Sequence, residues 1–569
     1  MVSDLVERAW RFRLEREAES NAERPAEGEP PGDPERWPMR RVRPSEDLDL
    51  RLVGCDGGLY ESWDQGKNWK YIANLPVTQF YKLSLDNDLP FYNIVGGTQD
   101  NSTQYGPSRT RTVHGIRNSD WKIIWGGDGH GPAMDKVDPN FVYVQSQQAN
   151  LGRWDRGSGE GKSIVAIPGE GEEPLRPNWD APILVSPHSN TRLYHGFQRL
   201  FRSDDRGQTW RPISPDLSRG IDRYSIPIMG RVQSIDALWY NMAMSQYGNI
   251  TGLSESPIRE GLIYVGTDDG LIHVTEDGGA NWFKSDVIEG IPDEAFVNQV
   301  FASNSDPDVV YAVMDHHKSG DLKPYVVKSS DRGRTWKLIS GDLPDRHIVW
   351  SIEEDPVRPE LLFVGTEFGI FFTIDGGQHW IQLKSGLPHI PFRDLEIHHR
   401  EVDLVGASFG RGFFVLDDYS PLREVTSELL EKEAHLFAVK KALLYVQTSP
   451  LGGGEKGNQG GALYTAPNPP YGAIFTYYLK EGFKTAKQKR HEKEKKLAKE
   501  GEDIPFPGWD ALKEEEREEE PSLVFLIRDE TGEEVARVKA EAKSGIQRVA
   551  WNLRYSTYRP EGSGGRFGR

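Results

Sequence analysis

Seven acidic side chains stand in short polar stretches between apolar runs: Asp56, Asp100, Asp128, Asp268, Asp269, Asp315 and Glu367. Two such carboxylates on facing loops, about 5–9.5 Å apart, are what acid–base cleavage of a glycosidic bond requires. Amides, an arginine and an indole stand in matching stretches, and the expected ligand-binding set is Gln99, Asp100, Asn101, Trp125, Asp128, Gln198, Arg199, Asp268 and Glu367. Amides and carboxylates offer the paired donors and acceptors that sugar hydroxyls or a peptide backbone take, and an indole stacks on sugar C–H surfaces. Taken singly, each acid also suits a turn-forming or solvated position. Spacing pairs none of them, so no catalytic residue is assigned.

Other chemistries find less support. Asp315, His316 and His317 are consecutive, and neighbours in a strand point to opposite faces, so no metal site is expected there. The stretches GGTQDN (96–101) and WGGDGHG (125–131) are glycine-rich but lack the strand-to-helix setting of a phosphate loop. No cofactor is expected. The net charge of −18 argues against nucleic acid, whose phosphates call for clustered Lys and Arg. A single cysteine, Cys55, excludes an intrachain disulfide framework and any cysteine-built metal cluster. No apolar run approaches the ~18 residues of a membrane span. The first twenty residues have no apolar signal-peptide core, so the chain as written is expected to stay in the cytoplasm.

The elements that must position these residues are written most clearly in LLFVGTEFGIFFTIDGGQHW, 361–380. Two apolar runs flank a glycine-containing turn, then comes Thr373-x-Asp375-x-Gly377-x-x-Trp380: strand, turn, strand, structured turn, strand. The same [S/T]-x-D-x-G-x-x-W pattern recurs at Ser62-Asp64-Gly66-Trp69, Ser203-Asp205-Gly207-Trp210, Thr275-Asp277-Gly279-Trp282 and Ser329-Asp331-Gly333-Trp336. A hydroxyl and a carboxylate two apart bond their own turn's N–H groups, glycine supplies a positive φ, and tryptophan anchors the turn by burial. These positions are structural. With 59 Gly and 37 Pro in 569 residues, the composition suits many short strands joined by turns.

Candidate first strands fall near 39, 80, 132, 182, 250, 297, 348 and 393. Four-stranded units repeating every ~40–50 residues point to an all-β fold, a β-propeller of seven or eight blades. In such blades the motif turns share one face with the first-to-second turns, and the variable second-to-third turns carry the candidate residues on the other. Units near 92–105 and 141–156 and the last one lack the full motif, and 214–246 is an insertion that reads as a lid or as a crossover loop. The expected organisation is a disordered or helical leader at 1–37, the propeller at 38–446 with 433–445 as its ring-closing strand, a linker at 447–461, and a partial β-sandwich at 462–569 interrupted by a charged helix at 480–501.

The five motif turns, the turns VGTDDGLI and VGTEFGIF, and the runs NLPVTQFY, GGTQDNSTQYGPSRTR and TAPNPPYGAIFTYYLK resemble the bacterial Asp-box (BNR-repeat) propeller proteins labelled glycosyl hydrolase or sortilin-like. The resemblance spans residues 40 to 560 and implies the fold. The polar and aromatic groups of the second-to-third turns make a polysaccharide or extended peptide the expected partner, with a two-carboxylate glycoside hydrolase as the alternative. The resemblance supplies no sialidase-type arginine triad or tyrosine nucleophile. Resembling proteins are usually exported and longer.

Overall fold

The apolar runs of 361–380 become Leu362–Thr366 and Gly369–Thr373, which pair antiparallel with Thr366 opposite Gly369. Gly369 has φ 127°, so the two-residue hairpin needs a glycine there. Thr373 and Trp380 then bring in the last strand of the unit, Ile381–Leu383. This unit is repeated around the chain.

The structure, a computed structural model, describes residues 50–55, 58–72, 75, 77–227, 230–237, 246–285, 287–449 and 465–556. The leader, the strand expected near 39, Asp56 and most of the 447–461 linker lie outside these residues. The chain divides into two compact units, the larger running to Asp418 and including Ser449–Pro467, the smaller comprising Tyr419–Thr448 and residues from Asn468 on.

The larger unit is all-β. Seven sheets follow one another, with inner strands Phe80–Leu85 (sheet I), Ala133–Met134 (II), Ile183–Val185 (III), Ile250–Glu255 (IV), Phe296–Ala302 (V), Val349–Glu354 (VI) and Phe392–His398 (VII). Sheets I to VI have four strands and sheet VII three, each an antiparallel meander starting from its inner strand. Each inner strand touches the next, and that of VII touches that of I, so the seven close into a ring. Apolar cores fill the junctions; at the closure Phe80, Leu85 and Ile94 of sheet I pack with Val405, Phe413 and Val415 of sheet VII. Arg51–Cys55, Gly58–Ser62 and Lys70–Tyr71 form a separate three-stranded sheet whose first strand is exposed throughout.

The motif turns share one hydrogen-bond plan. The hydroxyls of Ser203, Thr275, Ser329 and Thr373 accept the N–H of Gly207, Gly279, Gly333 and Gly377 at 2.8–3.1 Å and donate to Asp205, Asp277, Asp331 and Asp375 at 2.7–2.8 Å. Ser62, Asp64 and Gly66 repeat it in the separate sheet. The indole N–H reaches back to the preceding sheet: Trp210 to Ile164 O, Trp282 to Ile213 O and Trp380 to Ile339 O, at 2.7, 3.0 and 3.1 Å. The turns ending in Trp210, Trp282 and Trp380 thus close their own loops and clasp the neighbouring sheet, whereas Trp336 Nε1 is buried without a hydrogen-bond partner among the described residues.

An inner strand is the edge of its sheet, and its outward N–H groups need partners. Side chains of the preceding inner strand supply them: Ser84 Oγ accepts from Met134 N, Ser254 Oγ from Ala302 N, Gln299 Oε1 from Ile352 N, and Asp394 Oδ2 from Leu83 N, at 3.1, 3.1, 2.7 and 2.9 Å.

The segment expected to close the ring does something else. Within 433–445, Ala434–Leu436 pairs with Ala473–Leu479 in the smaller unit, which in turn pairs with Gly545–Trp551. Hydrogen bonding to an available sheet edge there, and apolar packing between sheets I and VII in the ring, make a borrowed strand unnecessary. In the smaller unit a hairpin of Ser522–Arg528 and Glu534–Glu541 packs Phe525 against Phe475 and Tyr477. Two of its helices, Ala486–Glu500 and Trp509–Arg517, are joined by Arg490 and Glu515 at 2.7 Å.

Candidate functional site

The pairings fix which turns share an end of the ring. Inner strands begin opposite the second-to-third turns: Phe80 faces Thr98, Ile250 faces Thr267, Val349 faces Thr366 and Phe392 faces Ser408. The motif turns lie at the other end beside the first-to-second turns, where Gly278 N donates to Gly261 O and Gly376 N to Glu360 O, both at 3.0 Å.

At the inner-strand starts the pairing register slips in the same place in five sheets. The slip falls between Phe80 and Leu83, Ile250 and Gly252, Val297 and Gln299, Val349 and Ser351, and Phe392 and Asp394. An extra residue in one strand has no partner opposite it, bends the strand and re-aims its side chain. The residues set loose are Tyr81 with Lys82, Thr251, Asn298, Trp350 and Arg393. Sheets II and III pair without a slip.

Several of these side chains join a continuous arc. Asp180 Oδ1 lies 3.9 Å from Nδ1 of His130, whose ring is 4.5 Å from Tyr81 and meets Trp179 edge-on at 5.7 Å. Tyr81 meets the edge of Phe409 at 5.3 Å. The Arg393 guanidinium lies 4.8 Å from the Phe409 ring and 3.7 Å from the Trp350 ring. Trp350 Nε1 donates to Glu367 at 3.1 Å, and His317 stands 5.8 Å from the indole. His317 Nδ1 pairs with Asp315, which also accepts from Asn298 Nδ2 at 2.9 Å.

Burial sets the electrostatics of the arc. It pushes the Tyr81 hydroxyl up to about 12, with the charge of Asp180 adding to it. His130 is fully buried, and burial drives its pKa down against the pull of Asp180 and Asp128, so the ring is neutral at pH 7. Neither ring nitrogen has a hydrogen-bond partner among the described residues. Gly97 makes this placement possible: a Cβ there would stand 2.1 Å from His130 O. Burial pushes Asp315 up, but His317 outweighs it and the carboxyl stays below its usual value.

Four of the expected site residues gather beside the arc. Tyr81 Oη donates to Gln99 Oε1 at 2.6 Å, Gln99 Nε2 to Asp100 at 3.2 Å, and Asp100 N to Asp128 at 3.0 Å. Asn101 Nδ2 closes on Gln99 O at 3.2 Å. Glu367 joins through Trp350.

Four others are taken up by contacts inside the fold. The Trp125 ring lies on sheet II, where a Cβ on Gly152 would come within 2.3 Å of it. Gln198 is 2 % exposed, accepting from Arg176 N at 2.8 Å and donating to Pro174 O at 3.0 Å. Arg199 pairs with Glu172 at 2.8 Å over the Phe201 ring. Asp268 accepts the N–H groups of Gly248 and Asn249 at 3.0 and 2.7 Å, fastening the start of sheet IV, and burial pushes its carboxyl up to about 7. Asp269 likewise accepts from Arg219 N at 2.7 Å.

Sequence reasoning passed over Tyr81, Trp350 and Arg393. A signal was present: in QFYKL, ITGL, FVNQV, VWSI and FRDL an apolar residue is followed by one whose type changes from repeat to repeat. Among the described residues no group of three or more His, Cys, Asp or Glu could hold a metal ion, and no helix is long and apolar enough to cross a membrane.

No family model and no curated protein matches the chain. Among solved structures it is similar to the GH74 enzyme of Niastella koreensis, 15% identical with a TM-score of 0.40 over 59% of this chain and 52% of that one. An ancestral GH74 enzyme matches at 16% identity and a TM-score of 0.36, over 49% and 35%. The chain thus spans about half the length of the first and about a third of the second.

Proposed function

We propose that the closed ring is a seven-bladed Asp-box propeller that binds a polysaccharide at the end carrying the second-to-third turns, across the arc from Trp179 to His317. The observation that carries this reading is the register slip repeated in five inner strands, which delivers Tyr81, Asn298, Trp350 and Arg393 to one place. Ring closure does not need it, since sheets II and III do without. Half-exposed rings of Tyr81, Trp179 and Phe409 offer faces for sugar C–H surfaces, and Gln99, Asn101, Asp128 and Asp180 offer hydroxyl partners. Hydrolysis of the bound glycan is the second reading, supported by Asp128 and Asp180, whose charges both reach His130 and Tyr81.

The test is a glycan and peptide array with wild-type protein and Tyr81→Ala. Loss of glycan binding of tenfold or more at unchanged melting temperature is expected. Unchanged binding moves the site elsewhere, and capture of peptides alone replaces the polysaccharide. Turnover of a bound oligosaccharide, abolished by Asp128→Asn or Asp180→Asn, establishes the hydrolase, because an amide keeps the contact but cannot transfer the proton.

A further inference from the structure

Arg393 is half-buried and has neither a hydrogen bond nor an ion pair among the described residues; its Nε is enclosed without a partner. That sets it apart from other half-buried arginines of the ring. Arg156 holds Asp88, Arg192 holds Asp204 and Glu260, Arg206 holds Asp135, and Arg332 holds Asp308 and Glu276. A charge removed from water is ordinarily paired. What Arg393 has instead are the rings of Trp350 and Phe409. Stacking uses the face of a guanidinium and leaves its in-plane N–H fork, whose geometry matches a carboxylate.

The acids around it do not serve as that partner. Glu367 is held by the Trp350 indole, Asp315 by Asn298 and His317, and Asp180 lies beside His130; Asp128 accepts from Asp100 N. All stand beyond 4 Å from Arg393. They disfavour a free anion arriving alone, whereas an anionic group carried on a ligand that also stacks on Tyr81 and Phe409 and hydrogen-bonds these acids through its hydroxyls is accommodated.

Resting on the polysaccharide reading above, we propose that Arg393 is the receptor for a carboxylate of that ligand, so that the glycan recognised is a uronic-acid polysaccharide. The arginine fork takes the carboxylate, the exposed faces of Tyr81 and Phe409 take the ring C–H surface, and Asp128 and Asp180 accept from hydroxyls. The fork's preference for a planar anion also separates Arg393 from a lysine, which would present a point charge.

The experiment is isothermal titration of the full chain with polygalacturonate, alginate and glucuronoxylan oligosaccharides, each beside its carboxyl-reduced counterpart. Tyr81→Ala, Arg393→Gln and Arg393→Lys variants of wild-type melting temperature are run in parallel. At least one acid form should bind tenfold or more tightly than its reduced form. Arg393→Gln should abolish that difference, Arg393→Lys should restore only part of it, and affinity should fall with added salt. Equal binding of acid and reduced forms, or an acid preference undiminished in Arg393→Gln, overturns the uronate proposal. If reduced forms bind and Tyr81→Ala removes that binding, the polysaccharide reading stands while this one falls. If no glycan binds the folded wild-type protein, both fall.

Discussion

Trp380 and Trp69 occupy the same motif position in different surroundings. Trp380 is 7 % exposed, packs with Ile339 and Phe371 and donates to the preceding sheet, whereas Trp69 is 44 % exposed. Trp380→Ala should therefore cost ~3–5 kcal/mol in urea unfolding, and Trp69→Ala under ~1 kcal/mol. Equal losses would mean that the motif turn, not the clasp, carries the energy. Titration separates two other residues. The side-chain amide and N–H of Asn281 hold Asp277 down at about 2, so its contribution is complete above its ordinary value and is lost as pH falls towards 2. Glu353 is the reverse: burial, then the charges of Glu396 and Asp394, raise its pKa well above 4.5. The stability it lends is full below 4.5 and is lost as pH climbs through the folded value. Glu353→Gln should flatten the decline in melting temperature from pH 5 to 8 and leave pH 4 unchanged. A variant that tracks wild type across that range would show Glu353 charged in the fold. The motif positions were legible because their bonds are local, within five residues. Arg393 and Trp350 were not, because the contact that joins them crosses from sheet VII to sheet VI.

A strand usually hides its edge by pairing, and the inner strands cannot, so they pass side chains forward around the ring instead. Gln299 is a clear case, its Oε1 accepting Ile352 N at 2.7 Å while its own strand belongs to sheet V. Gln299→Ala should cost ~1–3 kcal/mol, the usual loss for a backbone donor left unsatisfied, and should speed hydrogen exchange at Ile352 above that at Val364, which pairs within its sheet. Uniform acceleration across sheet VI would argue for general loosening. Sequence placed these strands within a residue or two, since apolar runs and Asp/Pro-rich turns bracket them. The register slips escaped it, because a slip depends on what lies opposite, and alternation along one strand does not record its partner. The slips account for part of the divided fate of the expected site, though not for Asp268, which follows slipped sheet IV and is still held inside the fold. Gln99 and Asp100 flank a slipped strand and face the arc, while Gln198 and Arg199 flank sheet III, which has no slip, and turn into the fold.

At the scale of the molecule, seven junctions hold the ring and the last is made between the most distant parts of its sequence. Phe80 stacks on Phe413 at 3.8 Å and Tyr92 Oη donates to Asp403 at 3.0 Å across that junction. Phe413→Ala should lower the unfolding free energy of the whole ring by ~3–5 kcal/mol without splitting its transition. Separate melting of sheets I and VII, followed by tryptophan fluorescence and hydrogen exchange, would show that closure is local. Sequence counted seven or eight units and looked for a closing strand at 433–445. It missed that apolar faces suffice at the junction, which no single repeat reveals. One short strand, Thr465–Ala466, belongs to the ring although the chain has by then contributed Tyr419–Thr448 to the other unit. It pairs with Ile116–Arg117, and its Ala466 carbonyl oxygen lies 2.0 Å from where a Cβ on Gly115 would stand. During synthesis all seven sheets leave the ribosome before that strand does. For that interval the Ile116–Arg117 edge is a bare template for any passing strand, and a nascent chain stalled at Thr448 would keep it bare.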